Sequence, residues 1–183
     1  MKAGGGKTKG SAFERLVCKR LSMWLTRGER DDLFWRSAMS GGRATLQLRD
    51  DILNPAQSGD LTAISQESYA FAERSFIECK HYRELGIARG FICRTGTLWG
   101  FWEIAVRDAE RQGKQPILVV RQNRYPIIVI AREMLAIFGH EPLIVLPHWP
   151  AEVLLFDTAT SYRKIIRRRG THGTTDRPAN NPG

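Results

Sequence analysis

Apolar positions recur along this chain at two different spacings, and the changes between them divide it into elements. From Phe13 to Leu25 the spacing is helical: Phe13, Leu16, Val17, Leu21, Trp24 and Leu25 fall on one arc of a helical wheel. Ser11-Ala12-Phe13-Glu14 has the Ser-x-x-Glu form of a capping box, so this helix is predicted to start at Ser11 and to close at Thr26-Arg27-Gly28. Asp32–Arg36 reads as a first strand, and residues 44–58 as an irregular connection or a short extra hairpin. Gly59–Ile64 and Phe76–Lys80 carry the β-branched and aromatic residues of strands. With polar Gln66, Glu67 and Ser68 between them, they are predicted to be neighbours in one sheet. Residues 84–96, with Gly86, Gly90 and Gly96, read as a mobile segment. Helical spacing then returns at Leu98, Phe101, Trp102, Ala105, Val106 and Ala109, with Gly113 as the stop.

Pro116–Arg121 and Tyr125–Ile130 are nearly continuous apolar runs, as expected of strands covered on both faces, with a polar turn at residues 121–124. A short helix at 133–138 and short strands at 143–146 and 153–156 complete an α/β pattern of a central sheet flanked by helices. Residues 1–10, rich in Gly and Lys, are read as a flexible basic arm. The single domain is expected over 11–160, and the basic tail 161–183 as largely disordered.

At 183 residues and 42% hydrophobic composition, one core can be filled. No apolar run approaches the ~20 residues that span a bilayer, and the first ten residues lack the apolar stretch of a secretory signal, so a soluble cytoplasmic protein is expected. Cys18, Cys79 and Cys93 are odd in number and lack metal-ligand spacing, which argues against a disulfide framework or a zinc site. The net charge of +9 points instead to a polyanionic partner, nucleic acid being the ordinary one. Arg163, Lys164, Arg167, Arg168 and Arg169 contribute much of that charge, and a tail that only keeps the chain soluble would look the same.

The candidate chemistry lies between Asp60 and Lys80. Alternation along a strand puts Glu78 and Lys80 on one face, and strand pairing brings Asp60 beside Glu78. Two adjacent carboxylates repel unless a cation lies between them, and Mg²⁺ takes such oxygen ligands while keeping several waters. Lys80 could orient or deprotonate a water there, with its pKa lowered towards that task. A plain Glu-x-Lys ion pair on a solvated strand is the ordinary alternative, and taken alone the likelier one. Glu14, a capping residue by position, falls inside the apolar arc of its helix and so aims a carboxylate inward. The Gly-rich loop Ser37–Arg43 carries hydroxyls and arginines suited to holding a phosphate, or is a flexible turn.

Taken in order, the helix with Glu14, the strand, Ser40-Gly41-Gly42-Arg43, the strand with Asp60, the strand with Glu78-Cys79-Lys80, the helix and the strand resemble the PD-(D/E)XK nuclease superfamily. Within it, the Holliday-junction resolvase branch is the most similar. The resemblance covers about residues 11–130. It implies a restriction-endonuclease-like fold with an α-β-β-β-α-β core, and a metal-dependent endonuclease using Mg²⁺, with Mn²⁺ as a substitute. Asp60 and Glu78 would be metal ligands, Glu14 would complete the acidic cluster, Lys80 would position the attacking water, and Ser40 would match the resolvase loop serine. The partner would be DNA, branched or double-stranded, cut by a homodimer. Phosphate contacts are expected from Lys7, Lys9, Arg36, Gly41, Arg43, Arg83 and the tail arginines and lysine. Two departures stand out: Gly59 occupies the place of the family's proline, and residues 131–183 have no counterpart. The competing readings are a non-catalytic nucleic-acid-binding module of the same fold, and a restriction- or repair-type nuclease. The complete set Glu14, Asp60, Glu78 and Lys80 favours catalysis, because a binding module has no need of buried carboxylates.

Overall fold

A computed structural model describes residues 5–37, 56–146 and 150–162, with side chains from residue 9 onward. Helix α1 spans Gly5–Leu25 and buries Phe13, Val17, Cys18 and Leu21. The apolar arc is narrower than expected, since Leu16 is 36% exposed. The helix also starts six residues before Ser11, which therefore lies inside it rather than capping it, and residues 5–10 of the expected arm are helical. Its end is as read: Gly28, at φ +89°, donates its N–H to the Met23 carbonyl at 2.6 Å, in the left-handed conformation that glycine adopts freely.

Strands β1 (Phe34–Arg36), β2 (Gln57–Ser58) and β3 (Leu61–Ala63) form a small antiparallel sheet in the order β1-β3-β2. The buried Ser22 hydroxyl fixes β1 to α1, accepting the Leu33 N–H at 3.0 Å and the Phe34 N–H at 3.3 Å. Helix α2 (Gln66–Arg74) follows, where a short connection was expected. Its buried Ser68, Phe71 and Ala72 sit at i, i+3 and i+4, a helical period that the polar residues at 66–68 obscured. The strand of Asp60 and the strand of Glu78 therefore belong to different sheets. They meet at a parallel bridge, Gly59 to Ile77.

Strand β4 (Ser75–Tyr82) opens the main sheet. Helices α3 (Ile87–Cys93) and α4 (Thr97–Arg111) lead to β5 (Gln115–Gln122), which pairs parallel to β4 along its whole length. The expected mobile segment is thus largely helical. Gly90 lets α3 lie against Leu98, which a Cβ would meet at 3.1 Å. Strands β6 (Ile128–Ala131), β7 (Ile144–Leu146) and β8 (Ala151–Leu155) complete a mixed sheet in the order β4-β5-β6-β8-β7, with α5 (Met134–Phe138) and α6 (Phe156–Ala159) beside it. In the stretch after 131 that lacked a counterpart, β7 and β8 hence extend the same sheet.

Burial alternates across β5 and β6 as the unbroken apolar runs require. Ile117, Val119, Val129 and Ala131 pack with Phe13, Val17 and Leu21 of α1 on one face. Leu118, Val120, Ile128 and Ile130 pack with Leu98, Trp102 and Ala105 of α4 on the other. The order α1-β1-β3-β4-α4-β5 contains the expected α-β-β-β-α-β core, with β2, α2 and α3 inserted. No helix among the described residues is long and apolar enough to cross a membrane.

Candidate active site

The site is built on the outer edge of β4. Because β5 covers only one side of β4, the Ile77 carbonyl and the Cys79 N–H on the other side must find partners elsewhere. Asp60 supplies both: its N–H donates to the Ile77 carbonyl at 2.8 Å, and its Oδ2 accepts the Cys79 N–H at 2.8 Å. Its own carbonyl accepts the Ser37 N–H at 2.7 Å, which ties the residue to the end of β1. Asp60 is thereby stitched between the two sheets, beside Glu78, and is 9% exposed.

Gly59 explains its own departure from the family's proline. At φ +63° it occupies a backbone region that proline cannot enter, and a Cβ there would lie 2.3 Å from the Ile77 carbonyl oxygen.

On β4, Glu78 and Lys80 share a face, and the Lys80 ammonium donates to Glu78 Oε1. Both are mostly buried, with side-chain exposures of 16% and 22%. Glu14 comes from α1 with a side chain 12% exposed, and its Oε2 accepts from Arg36 Nε at 2.9 Å. Arg36, expected at the phosphate, is thus held at the site by an ion pair. Asp60 takes part in neither pair.

Electrostatics follow from this geometry. Burial, then the charge of Glu78, pushes the Asp60 carboxyl up to about 7, against the opposing pull of Lys80 and the Cys79 N–H. Burial alone would lower Lys80, but the charges of Glu78 and Asp60 and the hydrogen bond to Glu78 outweigh it, so its pKa is raised. The expected lowering of Lys80 is therefore corrected: it stands as a firmly held ammonium. Burial and the Glu14 charge raise Cys18 to about 12, and burial raises Cys79, so neither thiol is a nucleophile at neutral pH.

Among the described residues no three His, Cys, Asp or Glu side chains are arranged as a metal-binding set. The donors at hand are the pair Asp60 and Glu78. They fit a hard divalent cation: oxygen-only and adjacent, with burial first and the Glu78 charge second raising the Asp60 carboxyl, both of which a bound cation would offset. Lys9 and Arg83 are exposed, as a phosphate contact requires. The Lys7 side chain, and Ser40, Gly41, Arg43, Arg163, Lys164, Arg167, Arg168 and Arg169, lie outside the described residues.

Two structural partners were not legible beforehand. Lys114 Nζ donates to the Ala72 carbonyl at 2.8 Å and to the Gln57 carbonyl, tying α2 and β2 to the start of β5. The Cys79 N–H is a backbone group, which no residue pattern marks.

A family model described as "Phage putative PDDEXK endonuclease" matches residues 5–145. No curated protein and no solved structure matches the chain significantly.

Proposed function

From its membership of this phage PDDEXK endonuclease family, which makes the chain a nuclease of restriction-endonuclease-like fold, we propose that it is a Mg²⁺-dependent endodeoxyribonuclease with its active site at Asp60, Glu78 and Lys80. The observation that carries this reading is Asp60 stitched to the free edge of β4, so that two carboxylates and a lysine from different sheets share one place.

The division of labour follows from the contacts. Asp60 Oδ2 is tied to Cys79, which leaves Oδ1 as its donor, and Glu78 is the second ligand. A divalent cation, when bound, supplies a Lewis acid for the phosphate and acidifies water at the site. Lys80, held as an ammonium beside Glu78, orients the attacking water and offsets charge growing on the phosphate. Glu14, held by Arg36, adds its charge near Asp60 without joining the ligand pair, and Arg36 can exchange that carboxylate for a substrate phosphate. The exposed Lys9 and Arg83 and the basic segments hold the backbone of DNA.

Branched DNA is the substrate class we propose, cut by a homodimer, since symmetric incision of two strands calls for two related sites. Labelled four-way junction, flap, duplex and single strand incubated in parallel with Mg²⁺, Mn²⁺ or EDTA test the whole reading. Cleavage with either metal and none in EDTA is expected, with the junction cut fastest. Absence of cleavage on every DNA would leave a binding module, and equal cleavage of plain duplex would remove the junction preference.

A further inference from the structure

We propose that Tyr82 and Phe101 form a stacking ledge for an unpaired base of the substrate, immediately beyond the Asp60–Glu78–Lys80 site. Alternation puts Phe76, Glu78, Lys80 and Tyr82 on one face of β4, and their exposure rises in that order, from 6% at Phe76 to 44% at Tyr82. Tyr82 lies about 6.6 Å along the strand from Lys80. Phe101 of α4 bridges the two: its ring centroid is 5.2 Å from that of Tyr82, tilted by 39°, and 5.4 Å from the Lys80 ammonium. Ammonium and two rings therefore make one continuous surface, running from the buried carboxylates to solvent. The root of Tyr82 is fixed, because its carbonyl accepts the Asn123 N–H at 3.2 Å.

The chemistry of the occupant follows. A half-open aromatic face beside a cation, with exposed Arg83 next in the chain, suits a flat π-system joined to a phosphate, which describes a nucleotide. Within a duplex both faces of a base are hidden in the stack, so only an unpaired base can use the ledge. The substrate class is then DNA with an unpaired base beside the cut, as at a branch point, a frayed end or a single strand. This deepens the proposed function and rests on it for the place of the scissile phosphate.

The test reads binding in EDTA, where no cleavage occurs. Fluorescence anisotropy is measured with a labelled single-stranded oligonucleotide and with a blunt duplex of the same sequence. Tyr82→Ala should weaken single-strand binding about thirtyfold, the middle of the range for one base–aromatic stack, and leave duplex binding within about twofold. Tyr82→Phe should bind as wild type. Phe101→Leu, which keeps apolar bulk while removing the π-face, should show the same selective loss and guards against misfolding of the first variant. An equal loss on both DNAs, or no loss in either variant, would overturn the ledge. The outcomes separate from those of the nuclease reading: cleavage indifferent to Asp60→Ala and Glu78→Ala sinks the site and leaves the binding result standing.

Discussion

Strands β4 and β5 lie side by side in parallel register, Glu78 against Leu118 and Lys80 against Val120, yet they serve opposite ends. On β5 the residues facing them, Leu118 and Val120, are apolar and buried under α4. One strand over, the same face carries an acid and a base. The difference comes from what lies on each strand's far side. Strand β5 is paired along both edges, whereas the outer edge of β4 is met by Ser58, Gly59 and Asp60 rather than by a paired strand, so its charges keep a path to solvent and to one another. A sheet of this kind can place chemistry only where its pairing stops.

Substitution on the two strands should therefore separate function from stability. Asp60→Ala or Glu78→Ala is expected to lower the cleavage rate by at least about a thousandfold, the scale of several kcal/mol of lost metal-centred stabilisation, while DNA binding is retained or tightened. Lys80→Ala should lose cleavage comparably. Leu118→Ala should instead cost about 3 kcal/mol in urea titrations, through the cavity it leaves under α4, and spare the rate per folded molecule. A Leu118→Ala variant as catalytically dead as Asp60→Ala would abolish the distinction.

Gly59 sharpens the comparison, because it is where the edge of β4 is closed. Gly59→Ala combines a left-handed backbone with a Cβ driven into the Ile77 carbonyl. It should destabilise the fold by about 2 kcal/mol or more and reduce cleavage sharply by displacing Asp60. Circular dichroism melts and cleavage assays on the same preparations check this; an unperturbed, fully active variant would show that the bridge does not hold the site.

Much of this was legible in the chain. The apolar run at 116–121 and the arc at 98–109 marked their elements, the run at 125–130 was covered only from Ile128 on, since Tyr125 and Pro126 are exposed, and the inward aim of Glu14 followed from its place in the first arc. What stayed hidden depends on groups without side-chain signatures. The helix at 66–74 has only Ser68, Phe71 and Ala72 to mark its inner face, two of them too small to signal burial. The contacts that position Asp60 are made with backbone atoms of Ile77 and Cys79. The direction of the Lys80 shift was misread because burial and two adjacent carboxylates oppose each other, and only their distances decide which prevails.

The titration of Asp60 is the most direct measure of how the surroundings of the two strands differ. Asp60 in the fold titrates near 7, above its ordinary 3.8, so the folded protein holds this proton more tightly than the unfolded chain. The stability it contributes is complete below about pH 3.8 and is lost as pH rises towards 7, at up to about 1.4 kcal/mol per pH unit. Asp32, lowered by its hydrogen bond from Arg30, and Glu67, lowered by its hydrogen bond from Ser65, run the other way and gain as pH rises. The comparison with Asp60→Asn, which keeps the shape and the acceptor for the Cys79 N–H, isolates the Asp60 contribution from these. In EDTA, the stability of wild type relative to Asp60→Asn should fall between about pH 4 and pH 7. Mg²⁺ should raise the wild type at pH 7 by offsetting the repulsion between Asp60 and Glu78, and should leave Asp60→Asn nearly unmoved. Urea titrations at several pH values, each with and without Mg²⁺, give the four curves. Parallel curves for the two proteins would mean that Asp60 is no more burdened by its carboxylate neighbour than Leu118 is by its apolar one.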